Sequence, residues 1–317
     1  MYVSSMKPER EAARVDRLIA RALAALPAGR YLLAVSGGRD SMVLLDAVVR
    51  TRTDAVAVAT FDHGTGRAAR RAALLVEFEA QRRGMRVVSG RHRGANPGTE
   101  QAWRAARWEF LRGHAQQFGA TVVTAHTRDD QLETVVMRLL RDQRHASARG
   151  LAAMYAPSPI ARPLIEVPRS AVAEYARAHD VRFVEDPTNE SPSHFRNRIR
   201  RDLLPAVERI RPGFGRSMLA LSRRAAAWRA EVEALVDALG VDHSPTVVVA
   251  AGTITCIPPE GLAILWPAIA GRAGVALDWR GTERLVAFTA QAKAGGQVPL
   301  SGGARVERTP SSFVLRA

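Results

Sequence analysis

The segment Tyr31-Leu32-Leu33-Ala34-Val35-Ser36-Gly37-Gly38-Arg39-Asp40-Ser41 decides the fold, because an apolar run leads directly into a glycine turn. The apolar run, residues 31 to 35, predicts a buried strand, and a helix is predicted from about residue 41 to 49. A turn between a strand and a helix presents unpaired backbone N–H groups, and the helix dipole favours an anion beside them. We therefore expect Ser36 to Ser41 to bind phosphate.

This loop differs from the phosphate loops that support transfer of a γ-phosphate. Those loops carry a lysine that reaches the terminal phosphates, whereas no lysine lies between Ser36 and Ser41. The two serines add hydroxyl donors, and Asp40 can hold Mg²⁺ or take part in the turn. The pattern resembles the SGGxDS loop of the N-type ATP pyrophosphatases, which release pyrophosphate while the α-phosphorus is attacked. A plain turn, the alternative, would not need two serines and an acid.

Strands and helices alternate on the C-terminal side of the loop. Further strands are predicted at 55–61, 86–89 and 121–125, with helices at 68–83, 100–117 and 129–140 between and after them. This alternation predicts an α/β fold with a doubly wound parallel sheet, whose ligands lie beyond the carboxyl ends of the strands. An edge strand is expected at 162–167, followed by a helix at 169–179.

The length of 317 residues exceeds one ordinary domain. We expect a catalytic domain at 1–215, a helical connector at 216–244 and a small α+β C-terminal domain at 245–317. Ser301-Gly302-Gly303 repeats the first letters of the loop, but no acid, serine or helix follows it. It is predicted to be a hairpin turn.

The formal net charge of +15 favours a polyanionic partner, and nucleic acid is the first candidate. The alternative is coding bias, because Lys7 and Lys293 are the only lysines among many arginines. The single cysteine, Cys256, excludes a disulfide within the chain and a sulfur transfer that uses paired cysteines. No apolar run approaches the roughly 18–20 residues that span a bilayer, so we expect a cytoplasmic protein without a membrane partner.

Polar residues follow two more of the predicted strands. Asp62-His63 comes after the second strand, and the segment from Ala125 to Thr134 after the fourth contains His126, Asp130 and Glu133. Asp130 and Glu133 share one face of the predicted helix, so together they could hold Mg²⁺ and a substrate ammonium group. Capping of that helix and ordinary structural histidines are the alternatives at these positions.

Together these motifs resemble tRNA(Ile)-lysidine synthetase, and further ordered motifs extend the resemblance over roughly residues 30 to 215. The run Glu100 to Trp108 is similar to the ExxAR(x)₂RY helix of that family, and Arg162-Pro163-Leu164 is similar to its RPL turn. Asp186-Pro187-Thr188-Asn189, with Arg196 to Arg200 and Leu204-Pro205, is similar to its DxxN…RNxxR…LP segment.

The resemblance implies a reaction in which ATP adenylates the C2 oxygen of the wobble cytidine, position 34, in the CAU anticodon of tRNA(Ile). The ε-amine of free L-lysine then displaces AMP, which forms lysidine and changes codon reading from AUG to AUA. ATP would be a substrate and Mg²⁺ a cofactor. Whether the chain forms a homodimer stays open.

The resemblance also assigns roles to residues. Asp40, Asp130 and Glu133 are expected to be catalytic, with Asp40 and Asp130 sharing the metal. The remaining assignments are ATP binding by Ser36, Gly37, Gly38, Arg39, Asp40, Ser41, Asp62, His63 and His126; binding of lysine or phosphate by Arg104, Arg107 and Glu133; and tRNA binding by Arg196, Asn197, Arg198, Arg200 and Arg201. Solvated helix faces are the alternative for the arginines.

Two features depart from the family pattern. Thr127 stands where the family usually has a second histidine, and the segment Asp142 to Arg149 is longer than the usual glycine and serine turn before Gly150-Leu151. Two other functions also stay open from the residues alone. They are another tRNA-modifying enzyme with the same loop, and a non-catalytic RNA-binding module with a vestigial ATP site.

Overall fold

The computed structural model describes residues 6–52, 54–92, 100–141, 151–156, 158–185 and 195–317. The chain divides into two compact units, one of Met1–Leu140 with Ala153–Ala220 and the other of Arg141–Ala152 with Leu221–Ala317. Segment 142–149, which departs from the family pattern, and segment 186–189, which resembles it, both lie outside the described residues. The domain boundaries at 215 and 244 stay a prediction.

A parallel five-stranded sheet forms the centre of the first unit. Its strands are β1 (Tyr31–Ala34), β2 (Ala55–Asp62), β3 (Val87–Arg91), β4 (Thr121–Val123) and β5 (Ile160–Ala161), in the spatial order β3-β2-β1-β4-β5. The strand order reverses at β1, between β2 and β4. In doubly wound folds the ligand crevice lies at such a switch point, outside the carboxyl ends of the strands.

Helices cover both faces of this sheet. They are α1 (Met6–Ala24), α2 (Arg39–Thr51), α3 (Arg67–Arg82), α4 (Glu100–Phe118), α5 (Arg128–Arg141) and α6 (Arg169–Ala178). One core packs apolar side chains of α1, α2 and α6 against the sheet, as with Ile19, Leu44 and Val172. A second core joins Leu111 of α4 to Leu32 of β1 on the other face. The predicted doubly wound α/β fold is therefore confirmed.

Short helices follow α6. They are α7 (Phe195–Arg198), a π-helical turn at Ile199–Leu203 and α8 (Leu204–Ile210), and the long helix α9 (Phe214–Ala238) comes next. Short 3-10 turns lie at Ala153–Tyr155 and Pro163–Glu166. The predicted edge strand at 162–167 is wrong, because the strand is Ile160–Ala161 and Pro163 begins a 3-10 turn. Proline has no N–H to donate to a strand ladder, which explains the shift.

The second unit contains a four-stranded antiparallel sheet with helices. The strands β6 (Thr246–Ala250), β7 (Gln297–Pro299), β8 (Arg305–Arg308) and β9 (Ser312–Arg316) have the order β6-β9-β8-β7. The helices are α10 (Ala251–Ile254), α11 (Pro259–Arg272) and α12 (Trp279–Gln291). Trp266 and Phe313 are fully buried in its core. Ser301–Gly303 joins β7 to its partner β8, so the predicted hairpin turn is confirmed.

Among the described residues, no helix combines the length and the apolar character that crossing a membrane requires.

Candidate active site

The phosphate loop is an open turn that its own hydroxyl groups hold in shape. The Ser41 hydroxyl donates to the Gly38 carbonyl at 2.9 Å and accepts from the Ser36 backbone N–H at 3.1 Å. Gly37 has a φ of +83°, and a Cβ there would lie 2.7 Å from the Ala72 carbonyl oxygen. Only glycine fits this position. The loop therefore leads from β1 into α2 with its amides at the carboxyl edge of the sheet.

A cavity of ≈ 190 Å³ opens beside this loop. Its apolar walls come from strands β1 and β2 and from helix α4, and they include Ala34, Ala59, Phe61, Trp108 and Leu111. Its polar lining includes Ser36, Asp40, Ser41, His63, Arg107, His126 and Asp130. Apolar walls suit a planar base, and the polar end suits phosphates.

The two predicted histidines line the cavity as neutral rings. Burial lowers the pKa of His126 to about 4, with the positive charges of Arg162, Arg196 and Arg107 acting in the same direction against Asp130. The Nδ1 atom of His126 lies 2.7 Å from the Thr124 hydroxyl oxygen. Burial and then Arg107 lower the pKa of His63. Neutral imidazoles can exchange hydrogen bonds with a nucleotide without adding charge.

Asp130 lies in the first turn of helix α5, and its two carboxylate oxygens have different partners. Its Oδ2 accepts from the backbone N–H of Thr127 at 2.8 Å and from the Thr127 hydroxyl at 2.7 Å, which is a capping arrangement. Its Oδ1 accepts from Arg169 and from Arg196, each at 2.7 Å. The capping interpretation and the functional one therefore concern different oxygens of the same side chain.

Glu133 is 1% exposed and accepts hydrogen bonds from three arginines. Arg169 donates to its Oε1 at 2.9 Å, and Arg196 donates to its Oε2 at 2.7 Å. Arg200 reaches both oxygens, at 2.6 and 3.1 Å. An ammonium group can contact Glu133 only if at least one of these arginines moves.

Arg169, the first residue of α6, extends towards the phosphate loop. Its Nε lies 3.7 Å from Oδ2 of Asp40, while its two terminal nitrogens donate to Asp130 and Glu133. We call the whole set of ionised groups the site cluster. Its members are Asp40, Asp130, Glu133, Arg169, Arg196 and Arg200.

The site cluster sets the charge state of its own members. Burial alone would raise the pKa of Asp130, but Arg169, Arg196 and the two hydrogen bonds from Thr127 together outweigh it, so the pKa lies below its ordinary value. Burial likewise opposes the arginines at Glu133, and the pKa of Glu133 is also lowered. The pKa of Asp40 is raised, since burial outweighs Arg169 and Arg39 there. Asp130 and Glu133 are therefore firmly ionised near neutral pH.

Arg107 lines the cavity, and it and Arg162 are both affected by the charge of Arg104. Burial and then the charge of Arg104 lower the pKa of both Arg107 and Arg162. The Nε atoms of Arg107 and Arg162 are buried and have no hydrogen-bond partner within the described part of the chain. Such donors are expected to meet an anion or water.

Other predicted site residues lie away from the cavity or have different neighbours. Asp62 accepts from the backbone N–H of Gly64 at 2.8 Å and lies 3.3 Å from the Arg91 Nε. Asn197 is buried, whereas Arg198 and Arg201 are exposed. The roles assigned to these residues stay predictions.

Sequence reasoning did not single out Arg169, although it contacts all three predicted catalytic carboxylates. The local sequence around Arg169 does not mark it, because this chain contains many arginines and one at the start of a helix is not unusual. The contacts join residues 36, 39 and 129 positions apart in sequence, and only the fold brings them together.

Comparisons with known proteins agree with this geometry. Residues 10–207 match the model of the PP-loop domain family. A tRNA(Ile)-lysidine synthase from Salinispora arenicola is 34% identical, and the match covers 93% of each chain. A tRNA(Ile)-lysidine synthase from Bradyrhizobium sp. strain BTAi1 is 39% identical over 66% of this chain, and the matched region spans 61% of that relative's length.

Among solved structures, the U34-tRNA thiolase NcsA from Methanococcus maripaludis, determined with its [4Fe-4S] cluster, has a TM-score of 0.54 at 15% identity. The match covers 68% of this chain and 79% of that one. At this identity the likeness concerns the fold alone, a PP-loop sheet with helices on both faces. On the family match and the relatives together, this chain belongs to the tRNA(Ile)-lysidine synthase family of PP-loop proteins.

Proposed function

We propose that this chain ligates free lysine to C2 of cytidine 34 in the CAU anticodon of tRNA(Ile), consuming ATP and releasing AMP and pyrophosphate. The observation that carries the proposal is the meeting of Asp40 from the phosphate loop and Asp130 from α5 in one cavity with apolar walls. The site offers a place for a base, a place for phosphates and carboxylates for an amine.

The first step would attach AMP to the cytidine. The apolar walls of the cavity hold adenine, and the amides and hydroxyls of Ser36 to Ser41 hold the phosphates. The C2 oxygen attacks the α-phosphorus, the bond to the β-phosphate oxygen breaks, and pyrophosphate leaves. Positioning both reactants supplies much of the acceleration of such a step.

Mg²⁺ fits this site as an ion that arrives with the nucleotide. Asp40 and Asp130 are oxygen ligands of the kind that Mg²⁺ prefers, and one or two carboxylates with phosphates and waters form its usual shell. Among the described residues no group of three or more acidic, histidine or cysteine side chains could hold a metal ion alone. When bound, Mg²⁺ would neutralise charge on the phosphates.

The second step would bring the lysine amine to C2. The ammonium group first gives a proton to solvent water, and the free amine then forms the C2–N bond. The C2–O bond to AMP breaks with its electron pair leaving on AMP, and the second proton of the attacking nitrogen also passes to water. Because the pKa values of Asp130 and Glu133 are lowered, these carboxylates are weak bases. They are better suited to orienting the ammonium group than to removing its proton.

The tRNA itself would be held largely by charge. Arg198 and Arg201 are exposed in the basic stretch that includes the π-helical turn, and the chain carries a net charge of +15. Arginine binds phosphate through paired N–H groups, and such contacts weaken with added salt. A cytoplasmic location and a homodimer stay predictions.

The alternatives are not favoured. The thiolase of similar fold carries an iron–sulfur cluster, and such clusters are held by several cysteine thiolates, whereas this chain has Cys256 alone. A non-catalytic RNA-binding module would not need Asp40 and Asp130 to line one cavity beside the phosphate loop.

The test is incorporation of labelled lysine into a CAU-anticodon isoleucine tRNA transcript with ATP and Mg²⁺, beside the methionine tRNA with the same anticodon. We expect lysine to enter the isoleucine tRNA alone, with one AMP released for each lysine. AMP release without lysine incorporation would support the adenylation step but would mean that lysine is not the nucleophile. Absence of both with well-folded protein would favour the RNA-binding module.

A further inference from the structure

Arg169 occupies a position between the phosphate loop and the carboxylates of α5. Its Nε lies 3.7 Å from Asp40 of the loop, and its terminal nitrogens lie 2.7 Å from Asp130 and 2.9 Å from Glu133. The side chain is 17% exposed. A guanidinium with this little exposure and this many carboxylate contacts is fixed in direction.

The backbone around Arg169 is fixed as well. The carboxylate of Asp129 accepts from the Arg169 backbone N–H at 2.8 Å, and the backbone N–H of Arg128 donates to the Val167 carbonyl at 3.0 Å. The start of α6 is therefore tied to the start of α5. Asp129 thus contacts the backbone of Arg169, whereas Asp130 and Glu133 contact its guanidinium.

Within the site cluster, Arg169 is the arginine that lies beside Asp40 of the phosphate loop. Asp40, Asp130 and Glu133 carry like charges beside a loop that must accept a polyphosphate, and these charges oppose its binding. The phosphate loop has no lysine, and its own cation, Arg39, lies 3.4 Å from Asp40 with a side chain 34% exposed. Arg169 brings a guanidinium from a different helix to the same loop carboxylate.

We propose that Arg169 is a catalytic residue that contacts the pyrophosphate part of ATP, and that Asp129 is the residue that positions it. The inference rests on the adenylation step of the proposed function. As the bond between the α-phosphorus and the bridging oxygen breaks, its electron pair moves onto pyrophosphate. The N–H groups of Arg169 stabilise the charge that develops there, with no proton transferred. In this proposal Glu133 and Asp130 have two roles, because they hold the guanidinium of Arg169 and also orient the lysine amine.

The first measurement is calorimetric binding of inorganic pyrophosphate with Mg²⁺ to the full chain, in the absence of tRNA and lysine. R169A is expected to weaken binding by about 10- to 100-fold, the range for loss of charge-assisted hydrogen bonds. R177A, an exposed arginine on the same helix, is the matched control and should bind like the wild type. Unchanged binding in folded R169A would overturn the proposal.

The second variant is R169K, which is used in case R169A does not fold. R169K keeps a positive charge beside the buried carboxylates and is therefore expected to fold. A lysine cannot reproduce the paired N–H geometry of arginine. R169K should therefore raise the KM for ATP and lower kcat for AMP release more than it changes the KM for lysine. A change confined to the KM for lysine would contradict the assignment and identify Arg169 as part of the lysine site.

The positioning role of Asp129 has its own readout. D129A should weaken pyrophosphate binding less than R169A does, and the double variant should bind no more weakly than R169A alone. Additive losses would mean that Asp129 acts independently, which would reject this role. Because the pyrophosphate assay needs neither tRNA nor lysine, it can succeed when lysine incorporation fails, and the reverse also holds.

Discussion

Among the described residues of the first unit, two networks of arginines and buried carboxylates differ in where the sheet places them. One is the site cluster at the carboxyl edge. The other, which we call the helix-end cluster, consists of Asp46, Glu79, Arg50, Arg82 and Arg83. Arg83 joins its two carboxylates, with 3.0 Å between its Nη2 and Oδ1 of Asp46, and Glu79 is 1% exposed.

The two clusters contain the same kinds of residue but lie at different edges of the sheet. Glu79 lies in the last turn of α3, which returns from the carboxyl end of β2 to the start of β3, so this cluster lies towards the opposite edge of the sheet. Tyr175 of α6 donates to Asp46 at 3.0 Å, which ties α2 to α6. The site cluster lies instead beside the phosphate loop and its cavity. Similar ion pairs thus tie helices together in one place and lie beside the proposed ATP site in the other.

The largest expected difference between the clusters concerns activity. Asp130→Asn should lower kcat/KM for lysine incorporation by about 10²- to 10⁴-fold, because the carboxylate that orients the amine becomes neutral. The measurement is steady-state kinetics on purified protein, with circular dichroism to verify folding. Wild-type turnover in a folded variant would remove Asp130 from the chemistry and leave it as a cap.

The helix-end cluster should respond in the opposite way. Glu79→Gln removes one of the two buried carboxylates that Arg83 contacts and leaves Asp46 as the other. The variant should lower the free energy of unfolding by about 3 kcal/mol. Urea denaturation measures this loss, and kcat/KM of the folded variant should equal the wild-type value. A loss of activity without a loss of stability would mean that the two clusters are coupled.

Acid should affect the site through His126. Its pKa of about 4 in the folded protein lies below the ordinary 6.5, so the unfolded chain binds the proton more tightly. The stability from this group is complete above pH 6.5 and decreases as the pH falls towards 4. Between pH 7 and 5, the free energy of unfolding should fall by on the order of 2 kcal/mol less in His126→Gln than in the wild type, because glutamine does not titrate. Parallel pH curves for the two proteins would show that His126 titrates normally.

The smallest expected effect concerns the capping contact within the site cluster. Thr127→Val removes the 2.7 Å hydroxyl hydrogen bond to Asp130 but keeps the backbone one. We expect a loss of about 1 kcal/mol in stability and less than about a tenfold change in kcat/KM. A loss of activity as large as that of Asp130→Asn would mean that the hydroxyl, and not the carboxylate alone, takes part in the reaction.

Local sequence patterns were sufficient for the fold class and for the phosphate loop. The alternation of strands and helices is a property of short segments, and so is the placing of Asp130 and Glu133 on one helix face. The edge strand was misplaced because Pro163 has no N–H to donate to a strand ladder, and the apolar pattern of the segment does not report that loss.

The partners of the carboxylates were decided by the tertiary structure. Arg169 lies 129 positions from Asp40 in sequence, and Arg196 lies 63 positions from Glu133. The basic stretch at Arg196 to Arg201 predicted phosphate contacts, yet Arg196 and Arg200 donate to Glu133 while Arg198 and Arg201 are exposed. The sequence by itself determined which groups are charged and which face of a helix they share, because these follow from residue type and from the helical period. Which charge meets which was left to the packing of α5, α6 and α7, because an ion pair depends on distance in space and not on separation along the chain.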